Sequence, residues 1–173
     1  MKQFTRIKHP FQDQEHWLLA LDPAYNKSGY AVFKDGKLEG YGIIDVSKEK
    51  DHEHKIMEFG LALRNLIIAC NPSQIASEAF LWVSRGGNAK GMQHLLKMRG
   101  IMEFIIGLRP HKVYHNSTWK KGLNGNFRAS KEEILEFINK KYKLSLTKKE
   151  QDIADAIGIG VVANAEYQKR RSE

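Results

Sequence analysis

The dipeptide Asp35-Gly36 lies between two short apolar runs and constrains the chain more than any other pair of neighbours. Both residues tolerate positive φ, which a two-residue hairpin turn demands. Residues 28–33 and 38–45 are therefore predicted to pair as antiparallel strands, and the run from His16 to Asp22 supplies a third, giving a meander. Ile56, Phe59, Leu63, Leu66 and Ile67 then recur at three- and four-residue steps, so residues 52–69 read as a helix that Asn71-Pro72 stops. A strand over 74–80 follows this crossover, and such a strand lies parallel in the same sheet with a right-handed connection.

The remaining pattern adds a helix to about Gly107, with Leu95, Met98, Met102 and Ile105 on one side, and a strand over 112–115. Capping-box spacings at Ser130/Glu133 and Thr147/Glu150 open two more helices, the first running to about Tyr142. The order β-β-β-α-β-α-β-α-α predicts an α/β fold: a five-stranded mixed sheet, three antiparallel strands plus two parallel ones, flanked by helices.

A chain of 173 residues has the size of one domain, expected over residues 16–173. Residues 1–15 carry Arg6, Lys8, Asp13 and Glu15 and no apolar stretch, so they read as a mobile arm, not a secretory signal. No apolar run approaches the length of a membrane span. The single cysteine, Cys70, sits in an apolar run and gives no disulfide framework, which fits a reducing, cytoplasmic setting. The net charge of +8 suits contact with a polyanion but does not distinguish DNA, RNA and lipid.

Four carboxylates stand in apolar surroundings. Asp22 ends the first strand, Glu78 lies within Ile75-Ala76-Ser77-Glu78-Ala79-Phe80, and Asp152 and Asp155 share one face of the last helix. Each has an ordinary reading alone: Asp22 as a turn former before Pro23, Glu78 as an outward strand residue, the aspartates as first-turn acids. Taken together they point elsewhere. If the first and fourth strands are neighbours, Asp22 and Glu78 meet at their carboxyl ends, where α/β sheets open a crevice, and the last helix can bring Asp152 and Asp155. Acids so gathered repel unless a divalent cation joins them, and hard oxygen ligands suit magnesium or manganese. Gly158 and Gly160, poor helix formers, are explained by close approach of that helix to the sheet.

These residues resemble a family. Leu19-Ala20-Leu21-Asp22-Pro23 with Ser28-Gly29-Tyr30-Ala31-Val32 is similar to the opening of the RuvC Holliday-junction resolvases, which have an RNase H-like fold. Ala76-Ser77-Glu78-Ala79-Phe80, Lys97-Met98-Arg99-Gly100 and Asp152-Ile153-Ala154-Asp155-Ala156 resemble its later segments in the same order, over about residues 17–167. The resemblance implies a nuclease in which Asp22, Glu78, Asp152 and Asp155 ligate two magnesium ions, with manganese a substitute. It also implies a homodimer that cuts opposing strands of a four-way DNA junction. Lys120 and Lys131 match the family's basic residues on the scissile backbone, and Lys121, Arg128 and Lys90 are placed to supplement them. The family's junction-wedging aromatic matches Leu81 here, flanked by Phe80 and Trp82, any of which can insert between bases. The compact chain is compatible with a phage-type member.

Two alternatives stay open at this point: a ribonuclease on hybrid or structured RNA, and a basic protein that binds branched DNA without cutting it. Ribonuclease H proper takes its glutamate from the first helix; the best-placed glutamate here is on the fourth strand, which favours the resolvase branch. His52 and His54 read as solvated, and His115, near Trp119, as a neighbour of the basic region.

Overall fold

A computed structural model describes residues 15–79 and 89–172, with no description of the side chains of residues 89–92. Strands β1 (Trp17–Asp22), β2 (Lys27–Lys34) and β3 (Lys37–Asp45) form the antiparallel meander. Asp35 and Gly36 take φ of 48° and 82° in the turn between β2 and β3, as their residue types foretold. Helix α1 (His52–Cys70) is capped by the Asp51 side chain on the His54 amide, and Asn71 ends it in the left-handed region. It leads to β4 (Gln74–Glu78), followed by α2 (Ala89–Ile106) and β5 (His111–Tyr114). Then come α3 (Asn116–Asn124), α4 (Lys131–Tyr142), a 3-10 turn at Lys148–Glu150 and α5 (Gln151–Ser172). Both capping boxes form, at Ser130/Glu133 and Thr147/Glu150.

The sheet order is β3-β2-β1-β4-β5, with β4 parallel to β1 and to β5. Alternation along the strands sorts the side chains into two cores. Leu19, Leu21, Val32 and Ile75 face α1 and α2 together with Phe59, Leu63, Met98 and Met102. Leu18, Ala20, Phe33 and Ala76 face α3, α4 and α5, meeting Trp119, Ile134, Ile138 and Ile157. Period-two parity then fixes the next residue on each strand: Asp22 follows Leu18 and Ala20, and Glu78 follows Ala76, so both belong to the α5 face.

Helix α5 crosses that face at close range. A Cβ on Gly29 would lie 1.8 Å from the Asp152 carbonyl oxygen, and one on Gly160 would lie 2.2 Å from the Phe33 ring. Only glycine allows either approach. Gly158 serves a different partner from the one expected, since its missing Cβ makes room for the Trp119 ring of α3 and not for the sheet.

One element departs from the sequence reading. Helix α3 follows β5 where no helix was expected, because the segment carries Gly122, Asn124 and Gly125 and its N-cap, His115, makes no side-chain cap bond. The expected fourth strand ends at Glu78, two residues early. Phe80, Leu81, Trp82 and all but Glu15 of the arm lie outside the described residues.

Candidate active site

The carboxyl ends of β1 and β4 are adjacent: the last pair of their parallel register is Leu21 with Ser77, so Asp22 and Glu78 each stand one residue beyond it. Asp22 is also paired with Gly29 on its other side, and Gly29 is the residue against which the Asp152 backbone rests. One helical turn on, Asp155 is buried. The residues that were 130 positions apart in the chain are thus brought to one end of one sheet face.

Electrostatics reports the same neighbourhood. The Asp22 carboxyl is held well above the ordinary carboxylate range, first by burial and then by the negative charges of Asp155, Glu78 and Asp152; Lys131 opposes them. Burial pushes Asp155 up to about 6, against a hydrogen bond from Gln151 and the charges of Lys131 and Lys120. Both shifts are directions of disfavoured charge: nearby positive charge does not offset the burial of Asp22 and Asp155.

Two of the acids are held by neighbours. Gln151 Nε2 donates to Asp155 Oδ1 at 2.9 Å, an i,i+4 pair. Glu78 accepts from Asn116 Nδ2 at 3.1 Å and 3.2 Å on its two oxygens, and from Trp119 Nε1 at 2.6 Å on Oε2. The donor set is therefore four hard carboxylates with a deficit of positive charge, chemistry that fits a magnesium-type cation. The fit lies in charge and ligand type: among the described residues no three acid, imidazole or thiol side chains already form a cage.

Among known families, residues 18–163 match the model of the crossover junction endodeoxyribonuclease RuvC. The chain belongs to the RuvC family. It is 29% identical to the RuvC of Bdellovibrio bacteriovorus over 160 residues, covering 88% of this chain and 92% of that one. The RuvC of Petrotoga mobilis is 28% identical over 146 residues, 81% of this chain and 88% of its own. Among solved structures, Thermus thermophilus RuvC in complex with Holliday junction substrate superposes with a TM-score of 0.71 at 15% identity, covering 88% and 96% of the two chains. The yeast mitochondrial Holliday junction resolvase gives 0.57 at 14% identity, covering 91% and 82%. At such low identity these structures speak for the fold alone, and that fold is RNase H-like.

The basic residues singled out from this RuvC-family sequence divide by position. Lys120 and Lys131 act electrostatically on the acids, and Lys120 Nζ also donates to the Ala129 carbonyl at 2.9 Å. Lys121 and Arg128 are exposed, with the Arg128 guanidinium 5.0 Å from the Phe127 ring centre. The Lys90 side chain lies outside the description, as do the wedge residues Phe80, Leu81 and Trp82. His115 is exposed at the start of α3.

Sequence reasoning passed over Asn116, Trp119 and Gln151. Signals for them existed. Asn116, Trp119 and Leu123 have the i, i+3, i+7 spacing of a helix face, and Gln151 stands four residues before Asp155.

Proposed function

We propose that this chain is a metal-dependent, structure-selective endodeoxyribonuclease that resolves four-way and other branched DNA junctions. The observation that carries the reading is the raised Asp22 carboxyl, surrounded by three like charges at the carboxyl ends of two parallel strands. A carboxylate cluster of this kind costs folding energy unless a cation is its working partner. Family membership supplies the substrate class.

In this reading Asp22, Glu78, Asp152 and Asp155 hold two magnesium ions, with manganese able to substitute. When bound, such ions supply positive charge to the attacking and leaving oxygens of a phosphodiester. The chain's own residues do the rest. Gln151 fixes the Asp155 carboxylate, and Asn116 and Trp119 fix that of Glu78. Lys131 and Lys120 offer ammonium groups to the phosphates flanking the cut, contacts that position the backbone without reading sequence. Water attacks phosphorus, the bond from phosphorus to the 3′ oxygen breaks, and the products are a 5′-phosphate and a 3′-hydroxyl. Lys121, Arg128 and Lys90 extend the contact to the junction arms, and one of Phe80, Leu81 and Trp82 enters the open junction.

A homodimer would place two such sites on opposing strands. Its support is the outward surface of the two helices facing away from the acids: Met57, Leu61 and Ile68 on α1 and Leu96 and Phe104 on α2 are all more than half exposed. Large apolar side chains gathered on one layer favour a protein contact. Residues 16–173 would act as one nuclease domain inside the cell, where Cys70 stays a thiol; burial pushes that thiol up to about 11, making it unreactive. Among the described residues no helix is long and apolar enough to cross a membrane.

The test is incubation with a synthetic four-way junction, the matching linear duplex and an RNA–DNA hybrid, each with magnesium or with a chelator. Paired nicks in the junction alone, dependent on the metal, are expected. Preferential cutting of the hybrid would shift the reading to a ribonuclease, and binding without nicking to a non-catalytic junction protein.

A further inference from the structure

The two hydrogen bonds from Asn116 reach the Glu78 oxygens at nearly equal lengths, 3.1 Å to Oε1 and 3.2 Å to Oε2. Equal distances put Nδ2 close to the bisector of the carboxylate, on the side where a cation bound by both oxygens would have to sit. The amide must present its nitrogen there, because only N–H can donate to a carboxylate. Oε2 is committed a second time, to the Trp119 indole at 2.6 Å. An ionised carboxylate has about four lone-pair directions, two on each oxygen. The Trp119 bond occupies one on Oε2, and the Asn116 amide fills the cleft between the oxygens. What remains accessible is the outer side of Oε1.

We propose that Asn116 and Trp119 restrict Glu78 to a one-oxygen ligand and so tune the metal preference of the site toward magnesium. The inference rests on the reading of Glu78 as a cation ligand. Magnesium requires compact octahedral coordination and is content with single carboxylate oxygens, whereas calcium takes more ligands and readily accepts both oxygens of one carboxylate. A clamp across the carboxylate therefore penalises calcium more than magnesium. The clamp is rigid on its far side: Trp119 is fully buried, and its ring fills the space left by the absent Cβ of Gly158 on α5, in the helix that carries Asp152 and Asp155. Asn116 and Trp119 lie on one face of α3, so a single helix sets both bonds. They are positioning residues, since neither needs to touch the substrate.

Calorimetric titration of the full chain, free of DNA, with Mg2+, Mn2+ and Ca2+ tests this directly. Asn116→Ala opens the cleft between the oxygens, and its ratio of calcium to magnesium affinity should rise about tenfold, the lower end of what loss of an outer partner does to a metal site. Asn116→Ser, which keeps a donor, should move the ratio less. The Trp119 indole N–H, assigned in a nitrogen-15 spectrum by its loss in Trp119→Phe, should stay protected from exchange when the wild-type protein is saturated with magnesium. An unchanged calcium-to-magnesium ratio in Asn116→Ala overturns the proposal, as does release of that indole proton on magnesium binding, a result read in the wild-type protein. Should the wild-type chain cut junctions with magnesium while either result appears, the clamp alone fails. Should it bind no divalent ion and cut nothing, the nuclease reading fails with it.

Discussion

Helix α5 has acids at both ends of its course, and the two ends treat them in opposite ways. Near its start, Asp155 and the neighbouring Asp22 are raised above their ordinary values by burial and by one another. Eleven residues further on, about 16 Å along the axis, Glu166 is lowered. Burial acts to raise it, but Lys112 and Tyr114 donate to the same oxygen and Arg170 lies 3.8 Å away, and together they prevail. Glu15, at the same far end of the sheet, is lowered by Lys34 at 2.7 Å. The contrast separates two uses of a carboxylate. At the far end Glu166 and Glu15 each have a base of their own and work for the fold. At the carboxyl ends of β1 and β4 the acids outnumber the bases near them, an arrangement that stability alone would not maintain.

The sharpest way to break this contrast is to neutralise Asp22. Asp22→Asn should lower junction cleavage by more than about 100-fold, since even an outer partner of a metal ligand is worth 10 to 100-fold. Junction binding, read by gel shift in the absence of magnesium, should persist. The same substitution should stabilise the metal-free protein. Because the folded-state pKa of Asp22 is raised, the folded chain holds that proton more tightly than the unfolded one, and stability falls as pH rises from the unfolded value through the folded one. Asp22→Asn removes that loss; at neutral pH a gain on the order of 1 kcal/mol would appear as roughly 2–4 °C in Tm for a chain of this size. Saturating magnesium should raise the Tm of the wild type and leave the variant nearly unmoved. A variant that is both inactive and less stable would place Asp22 with the structural acids.

How far each end could be read from the sequence follows from how local its causes are. The meander and the last two helices were legible because Asp35-Gly36 and the two capping boxes specify their own geometry within four residues. The acid end was legible in part: a carboxylate inside an apolar run is conspicuous wherever its partners lie. The far end was not, because Glu166 meets Lys112 and Tyr114 across more than fifty residues, and nothing near Glu166 announces them. Helix α3 was hidden for a different reason. Its start lacks a side-chain cap and its stretch is broken by Gly122, so what holds it is the packing of Trp119 and Leu123 against α5, a tertiary cause.

Lys131 and Lys120 give a smaller perturbation of the acid end. Both oppose the carboxylates electrostatically, and neither has a carboxylate of its own within salt-bridge distance among the described residues. Lys131→Ala should weaken junction binding about equally for all junction sequences, and should reduce the slope of log affinity against log salt by about 1. A loss of affinity with an unchanged salt slope would mean that Lys131 serves the acids and not the phosphates. Removing it should also raise Asp22 further, so the wild-type and variant proteins should diverge in metal-free stability as pH rises.

The smallest expected effect comes from the far end, and it has the opposite sign. Glu166 is lowered in the folded state, so its contribution is present above the unfolded pKa and disappears as pH falls through the folded one. Its side chain and that of Lys112 are both 37% exposed, so solvent screens the pair and the contribution is no more than about 1 kcal/mol. Glu166→Gln should therefore lower Tm slightly at pH 7, converge with the wild type in acid, and leave junction cleavage as it was. Asp22→Asn and Glu166→Gln thus replace one carboxylate each with its amide, beside the same helix, and should move Tm in opposite directions. If both move it the same way, the two ends of α5 do not differ in how they use their acids, and the charge argument for the active site loses its internal control.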